Sequence, residues 1–184
     1  GRDPLAVKGV AGDRPALIVG TRVTAPLDAA LRAAVAREAF ALRRGTTAAI
    51  QCDDHTVASI ATAVCNEVGV RTPEPPYAVY REVQRAMKKA LSRKIKKTIG
   101  ATCEEVVRSQ QDARAWAAAA RQSIDRMALV ACADAAAVID DVIGPPDSPA
   151  RAALDGQPRA KHVLAFALSP ALIELRRKLG MGMS

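Results

Sequence analysis

Aromatic side chains are nearly missing from this chain: one Trp, two Tyr and two Phe make up 3% of its 184 residues. A core without rings has to be closed by Ala, Val, Leu and Ile, and a hydrophobic share of 49% supplies them. Such a composition favours closely packed helices, because alanine leads the helix scale while aromatic and β-branched residues lead the strand scale. No run of about 20 apolar residues occurs, which excludes a membrane-spanning helix and points to a soluble protein. The longest weakly charged stretch, Met127 to Ile139, is interrupted by Asp134. Histidine is scarce at two, and Cys52, Cys65, Cys103 and Cys132 lie too far apart for a CxxC or Cys/His zinc cluster. Partly buried thiols in a reducing cytoplasm are the reading for them. A GxSxG elbow, a P-loop, a dinucleotide fingerprint and a neighbouring Cys and His are also missing, so nucleophilic catalysis has little support.

What is present is length enough for one domain, 184 residues, and a basic balance of +8 with a pI near 9.7. That charge attracts anionic partners without selecting one. The opening Gly1-Arg2-Asp3-Pro4 has neither Met nor a signal-peptide pattern, and the chain is expected to be a C-terminal fragment of something longer.

Ala16-Leu17-Ile18-Val19, between Pro15 and Gly20, has the length and branching of a short strand or hairpin edge. Pro26-Leu27-Asp28 opens a helix whose apolar residues recur through Leu31, Val35 and Leu42, and Arg43-Arg44-Gly45 closes it with cations and a left-handed cap. Thr46 to Val70 reads as a second helical stretch ending at Gly69, and the Pro-rich segment Arg71 to Pro76 is the best internal boundary. Further helices are expected from Tyr77 to Ile99, Ala101 to Ala120, Gln122 to Ile143 and Leu164 to Leu179. Gly144 to Pro149 is read as a break and Arg151 to Pro158 as a mobile surface loop. There is no internal repeat, so a solenoid is not expected.

The segment Leu27 to Gly45, with Arg37-Glu38-Ala39-Phe40-Ala41 at its centre, resembles the active-site helix of gluzincin-type zinc peptidases, the group that includes the CAAX prenyl protease. In that group two imidazoles four residues apart share one helix face and hold the metal, and the glutamate between them activates its water. The resemblance puts Arg37 in the place of the first histidine, Glu38 on the catalytic glutamate and Ala41 in the place of the second histidine. Arg121-Gln122-Ser123-Ile124-Asp125-Arg126 resembles the motif that carries the third ligand, with Arg121 in the ligand position and Asp125 and Arg126 retained. A cation and an alanine donate nothing to zinc. The resemblance therefore implies a peptidase shape without its metal or any other cofactor, and no hydrolase activity.

Over nearly its whole length the chain also resembles the C-terminal regions of myxobacterial proteins associated with tetratricopeptide repeats, which look like degenerate members of the same peptidase group. The matching pieces are Pro15 to Gly20, Val35 to Arg44, Ala90 to Lys97, Asp125 to Asp134, Phe166 to Ser169 and Leu175 to Gly180. Their order and spacing are more specific than any one piece.

For Glu38 the expectation is a buried ion pair with Arg37, Arg121 or Arg126, whose loss in Glu38→Gln would cost about 3 to 5 kcal/mol. Asp125 and Arg126 read as structural, Trp116 as a core anchor, and His55 and His162 as isolated surface residues far from the aligned site. Arg81, Arg85, Lys88, Lys89, Arg93, Lys94, Lys96 and Lys97, against the single acid Glu82, form a candidate surface for an anionic partner. Tyr77 and Tyr80 are the only aromatics beside it, and Val83, Met87, Leu91, Ile95 and Ile99 supply an ordinary apolar face.

The function expected is that of a single mainly α, non-catalytic, metallopeptidase-like domain over residues 1–184, cytoplasmic, serving interaction or assembly with a protein partner or with other domains of the same chain. A basic helical nucleic-acid-binding domain and a hydrolase with an unrecognised site are the alternatives.

Overall fold

The structure, a computed structural model, describes residues 6–143 and 158–182. Helix accounts for 67% of it, about twice the base rate of roughly one third for globular proteins, and one small antiparallel hairpin supplies the strands. No helix among the described residues is long and apolar enough to cross a membrane. The chain divides into two compact units, one from residues 1–47 and 121–184 and the other from residues 48–120.

In the first unit β1 (Val7–Val10) pairs with β2 (Ala16–Val19) in the register Val7 to Val19 and Val10 to Ala16. The run Ala16 to Val19 is the expected strand; β1, in a start that reads as loose, is an addition to it. Helix α1 (Ala29–Arg44) packs on β1. Asp28 caps its start by accepting the Leu31 amide at 2.8 Å, and Gly45 ends it at φ 66°. Pro26 and Leu27 thus stand outside the helix they announce. The last turns of α6 (Ala113–Cys132), then α7 (Ala135–Ile143), α8 (Pro158–Ala167) and α9 (Pro170–Lys178) complete the unit. Its core joins Ala33 to Leu129, Val130, Val138, Ile139, Val163 and Leu172, with Phe166 packed at the edge. Alanines on α1, α6 and α8 let these helices approach closely without rings between them.

In the second unit α2 (Thr47–Gln51) leads into α3 (Asp54–Glu67), which packs on α4 (Tyr80–Ala90) and α5 (Arg93–Arg108). Buried Tyr80 and Val83 meet Ala63 of α3, and the Tyr80 hydroxyl accepts from Asn66 Nδ2 at 3.1 Å. Asn66 Oδ1 also accepts the Thr72 amide at 2.9 Å, which ties down the Pro-rich segment. That segment joins α3 to α4 within this unit.

Five helix breaks differ from the expected spans. Thr46 to Val70 is split where Asp53 caps α3, and Tyr77 to Ile99 where Ser92 caps α5. Ala101 to Ala120 is split at Gln110 (φ 51°) before Asp112, which accepts the Arg114 amide at 2.9 Å. Gln122 to Ile143 is split at Ala133 (φ 58°) before Asp134, which accepts the Ala137 amide at 3.1 Å. The last stretch turns at Ser169-Pro170. Four of the five share a reason: a short polar side chain satisfies the first amides of a new helix, so apolar periodicity carries across a real break; at the fifth, Pro170 begins the new helix and Ser169 donates back to the Phe166 carbonyl. The break expected over residues 144–149 and the loop expected over 151–158 lie outside the described residues, except Pro158, which begins α8.

Candidate functional site: an ion cluster on the central helix of the first unit

Helix α1 turns Arg37, Glu38 and Ala41 toward the packed side of its unit. Ala41 is fully buried, so the place the resemblance gives to a histidine is filled by a methyl group in the core. The Arg37 side chain is 13% exposed; its guanidinium bonds the Asp141 carboxylate on α7, and its Nε lies 3.5 Å from Asp125 on α6. Asp125 is wholly buried and accepts from Arg159 of α8 through both oxygens, at 2.5 and 2.7 Å. Two cations and two carboxylates thus neutralise one another, which is what allows a carboxylate to be buried as an ion.

Glu38 accepts the Gly9 amide of β1 at 2.8 Å. A Cβ at Gly9 would stand 2.8 Å from Leu42 Cγ and 3.0 Å from Glu38 Oε2, so hairpin and helix meet this closely only because residue 9 is glycine. Arg37 takes Asp125 and Asp141 as its acids, and Arg126 lies over the Phe166 ring at 5.4 Å from its centroid. Arg121 is half-buried on α6, one turn before Asp125.

The arrangement does not fit zinc. Arg37 brings a positive charge to the place of a donor, its two carboxylate neighbours are engaged, and no group of three metal-ligating side chains occurs among the described residues. A cavity of about 60 Å³ remains between Val7, Ala34, Arg37, Glu38 and Asp141. That is room for water and not for a peptide, since ligand pockets start near roughly 300 Å³.

Two contributors are absent from the sequence reading, and a third was placed elsewhere by it. Asp141 and Arg159 lie 104 and 34 residues from the partners they bond, and nothing local marks them. His162 of α8, expected at the surface and far away, is half-buried beside Arg126 and Asp125 with its Nε2 buried and unbonded among the described residues. Burial holds its pKa below the usual 6.5, Arg126 adds to that, and Asp125 opposes it. Its spacing of three residues after Arg159 was the available signal, since residues three apart on a helix share a face.

In the second unit the basic residues occupy two helices. Arg81, Arg85, Lys88, Lys89, Arg93, Lys94 and Lys97 are exposed, while Lys96 is drawn to Glu67 of α3 at 2.6 Å. Arg81 also meets Glu74 at 2.8 Å. Tyr80 is buried and Tyr77 stacks on exposed His55, ring centroids 4.2 Å apart, so His55 is not isolated. Trp116 is 46% exposed and walls a largely apolar cavity of about 330 Å³ with Val57, Ile60 and Val106. It is no core anchor: Ala113, Ala117 and Ala120 carry the inward stripe of α6, and Trp116 lies off it. No disulfide links the cysteines; Cys65, Cys103 and Cys132 are buried and Cys52 half-buried.

No family model matches the chain, and neither a curated protein nor a solved structure matches it.

Proposed function

We propose that the chain is a non-catalytic, metallopeptidase-like domain that serves interaction or assembly within a larger cytoplasmic protein. The observation that carries this reading is the pairing of Arg37 with Asp125 and Asp141. Where a zinc peptidase needs an imidazole and an open metal position, this chain has a neutralised ion cluster that ties α1 to α6 and α7. Buried Ala41 and the Arg at position 121 point the same way. The partner is a protein or another domain of the same chain.

The test has two arms. Zinc titration of the dialysed chain, followed calorimetrically, is expected to show no stoichiometric binding; about one tightly held zinc per chain would sink the reading. Capture with the full-length protein, with and without this domain, is expected to lose specific partners when the domain is removed. An unchanged partner set would reject the assembly role.

A second reading, nucleic-acid binding, is favoured by the exposure of seven cations on α4 and α5. A gel shift with duplex DNA and with RNA, repeated across salt concentration, separates the two. Phosphate binding through these residues predicts an affinity that falls steeply with salt, and less steeply after Lys88→Gln and Lys89→Gln.

A further inference from the structure

Cys65 on α3 and Cys103 on α5 come from neighbouring helices of the second unit. Each is 6% exposed, Cys65 shares a cavity wall with Val107 one turn after Cys103, and the Cys103 thiol lies near enough to act on Cys65. Cys132 instead exchanges contacts with the Asp134 backbone, at 3.4 Å, in the first unit. Cys65 also walls a cavity of about 380 Å³ together with Thr62, Tyr77, Val107 and Gln110. A small oxidant can enter such a space, whereas a protein thiol–disulfide catalyst cannot.

We infer that Cys65 and Cys103 form a redox-closed pair, in which a small peroxide converts the two thiols into a disulfide that staples α3 to α5. The Cys65 sulfur attacks one peroxide oxygen, the O–O bond breaks, and water leaves once the departing oxygen is protonated. Cys103 then attacks the resulting sulfenic sulfur, the S–O bond breaks, and a second water leaves as the S–S bond forms. Two thiols lose two electrons and two protons, and one peroxide becomes two waters. The closed loop contains residues 66–102, and therefore α4, the Pro-rich segment and every residue of the basic surface from Arg81 to Lys97. The staple would reduce the freedom of that surface in the unfolded chain and hold it on α3.

The same burial sets the rate. It pushes the Cys65 thiol up to about 11, and the adjacent Cys103 thiol adds to the rise. The thiolate that attacks peroxide is therefore scarce at neutral pH, and closure is slow. Shelter from solvent equally slows reopening by thiol reductants. This is a pair that closes under sustained oxidation, unlike a fast redox catalyst.

The experiment exposes the reduced full chain to hydrogen peroxide at several pH values, alkylates the remaining thiols and maps the peptides by mass. The expected result is a Cys65–Cys103 linked peptide with a loss of about 2 Da, formed about tenfold faster per pH unit between neutrality and pH 10. A doubly substituted chain, Cys52→Ser with Cys132→Ser, should close the same link, and Cys65→Ser or Cys103→Ser should abolish it. Mapping of the wild-type chain decides the matter even where a substituted chain fails to fold. Linkage through Cys52 or Cys132, sulfinic acid at Cys65 without a cross-link, or four surviving thiols would each overturn the inference.

Discussion

Arg159 on α8 donates hydrogen bonds to both carboxylate oxygens of Asp125 on α6, at 2.5 and 2.7 Å, and Asp125 has no exposure to solvent. Arg37 reaches the same carboxylate from α1. Asp125 is thereby the point at which three helices of the first unit are joined by charge.

Removing that charge leaves two guanidinium groups short of an acid. Asp125→Asn is expected to destabilise the fold by about 3 to 5 kcal/mol, whereas Arg159→Gln, which leaves Arg37 in place, costs roughly half as much. Urea melts of the two single variants and the double variant test the coupling. Additive effects would show that Asp125 and Arg159 do not act as a pair.

At Glu38 the structure adds a hydrogen bond from the β1 backbone to whatever charge pairing the side chain makes. An amide oxygen can still accept the Gly9 amide, so Glu38→Gln is expected to cost less than Glu38→Ala, which also orphans that amide at about 1 to 3 kcal/mol. Gly9→Ala should cost a similar 1 to 3 kcal/mol, roughly, because its Cβ would collide with Leu42. Equal melting temperatures for the two Glu38 variants would remove the hydrogen bond from the account.

His162 makes stability depend on pH in one direction. Its pKa is lowered in the fold by burial and by Arg126, so the unfolded chain binds the proton more readily. The neutral ring's contribution is fully present above the ordinary value of 6.5 and is lost as pH falls through the lowered one. The drop in melting temperature between about pH 7.5 and pH 5 should be smaller in His162→Gln than in the wild type. Parallel pH profiles would show that other groups carry the dependence.

Ala133 sits at φ 58° between α6 and α7, a left-handed conformation that costs a residue with a Cβ about 1 kcal/mol. Because the position is exposed, Ala133→Gly should stabilise by roughly 0.5 to 1 kcal/mol, despite the greater freedom glycine has when unfolded. A lower denaturation midpoint for this variant would contradict the local geometry.

Local chemistry made much of the fold legible. The cap pair Asp28 and Gly45 delimits α1 because both act within a few residues of themselves. The same chemistry was present and missed at Ser92, Asp112 and Asp134, where apolar residues continue on both sides and periodicity alone cannot register a stop. Of the site, Arg37, Glu38, Ala41 and Asp125 were visible as types in a spaced pattern. Their partners were not, because Asp141, Arg159 and Gly9 meet them only through the packing of other elements.

By itself the sequence determined a helical class, a short strand at Ala16 to Val19 and the want of a membrane-spanning helix, since these follow from propensity, capping and run length. Only the tertiary structure decided that Arg37 pairs with acids on α6 and α7, that Trp116 faces outward and that His162 is half-buried beside Asp125. Each of those depends on which faces of distant helices are pressed together. A buried charge takes whatever opposite charge the packing delivers to it, over 104 residues of chain in the case of Arg37 and Asp141.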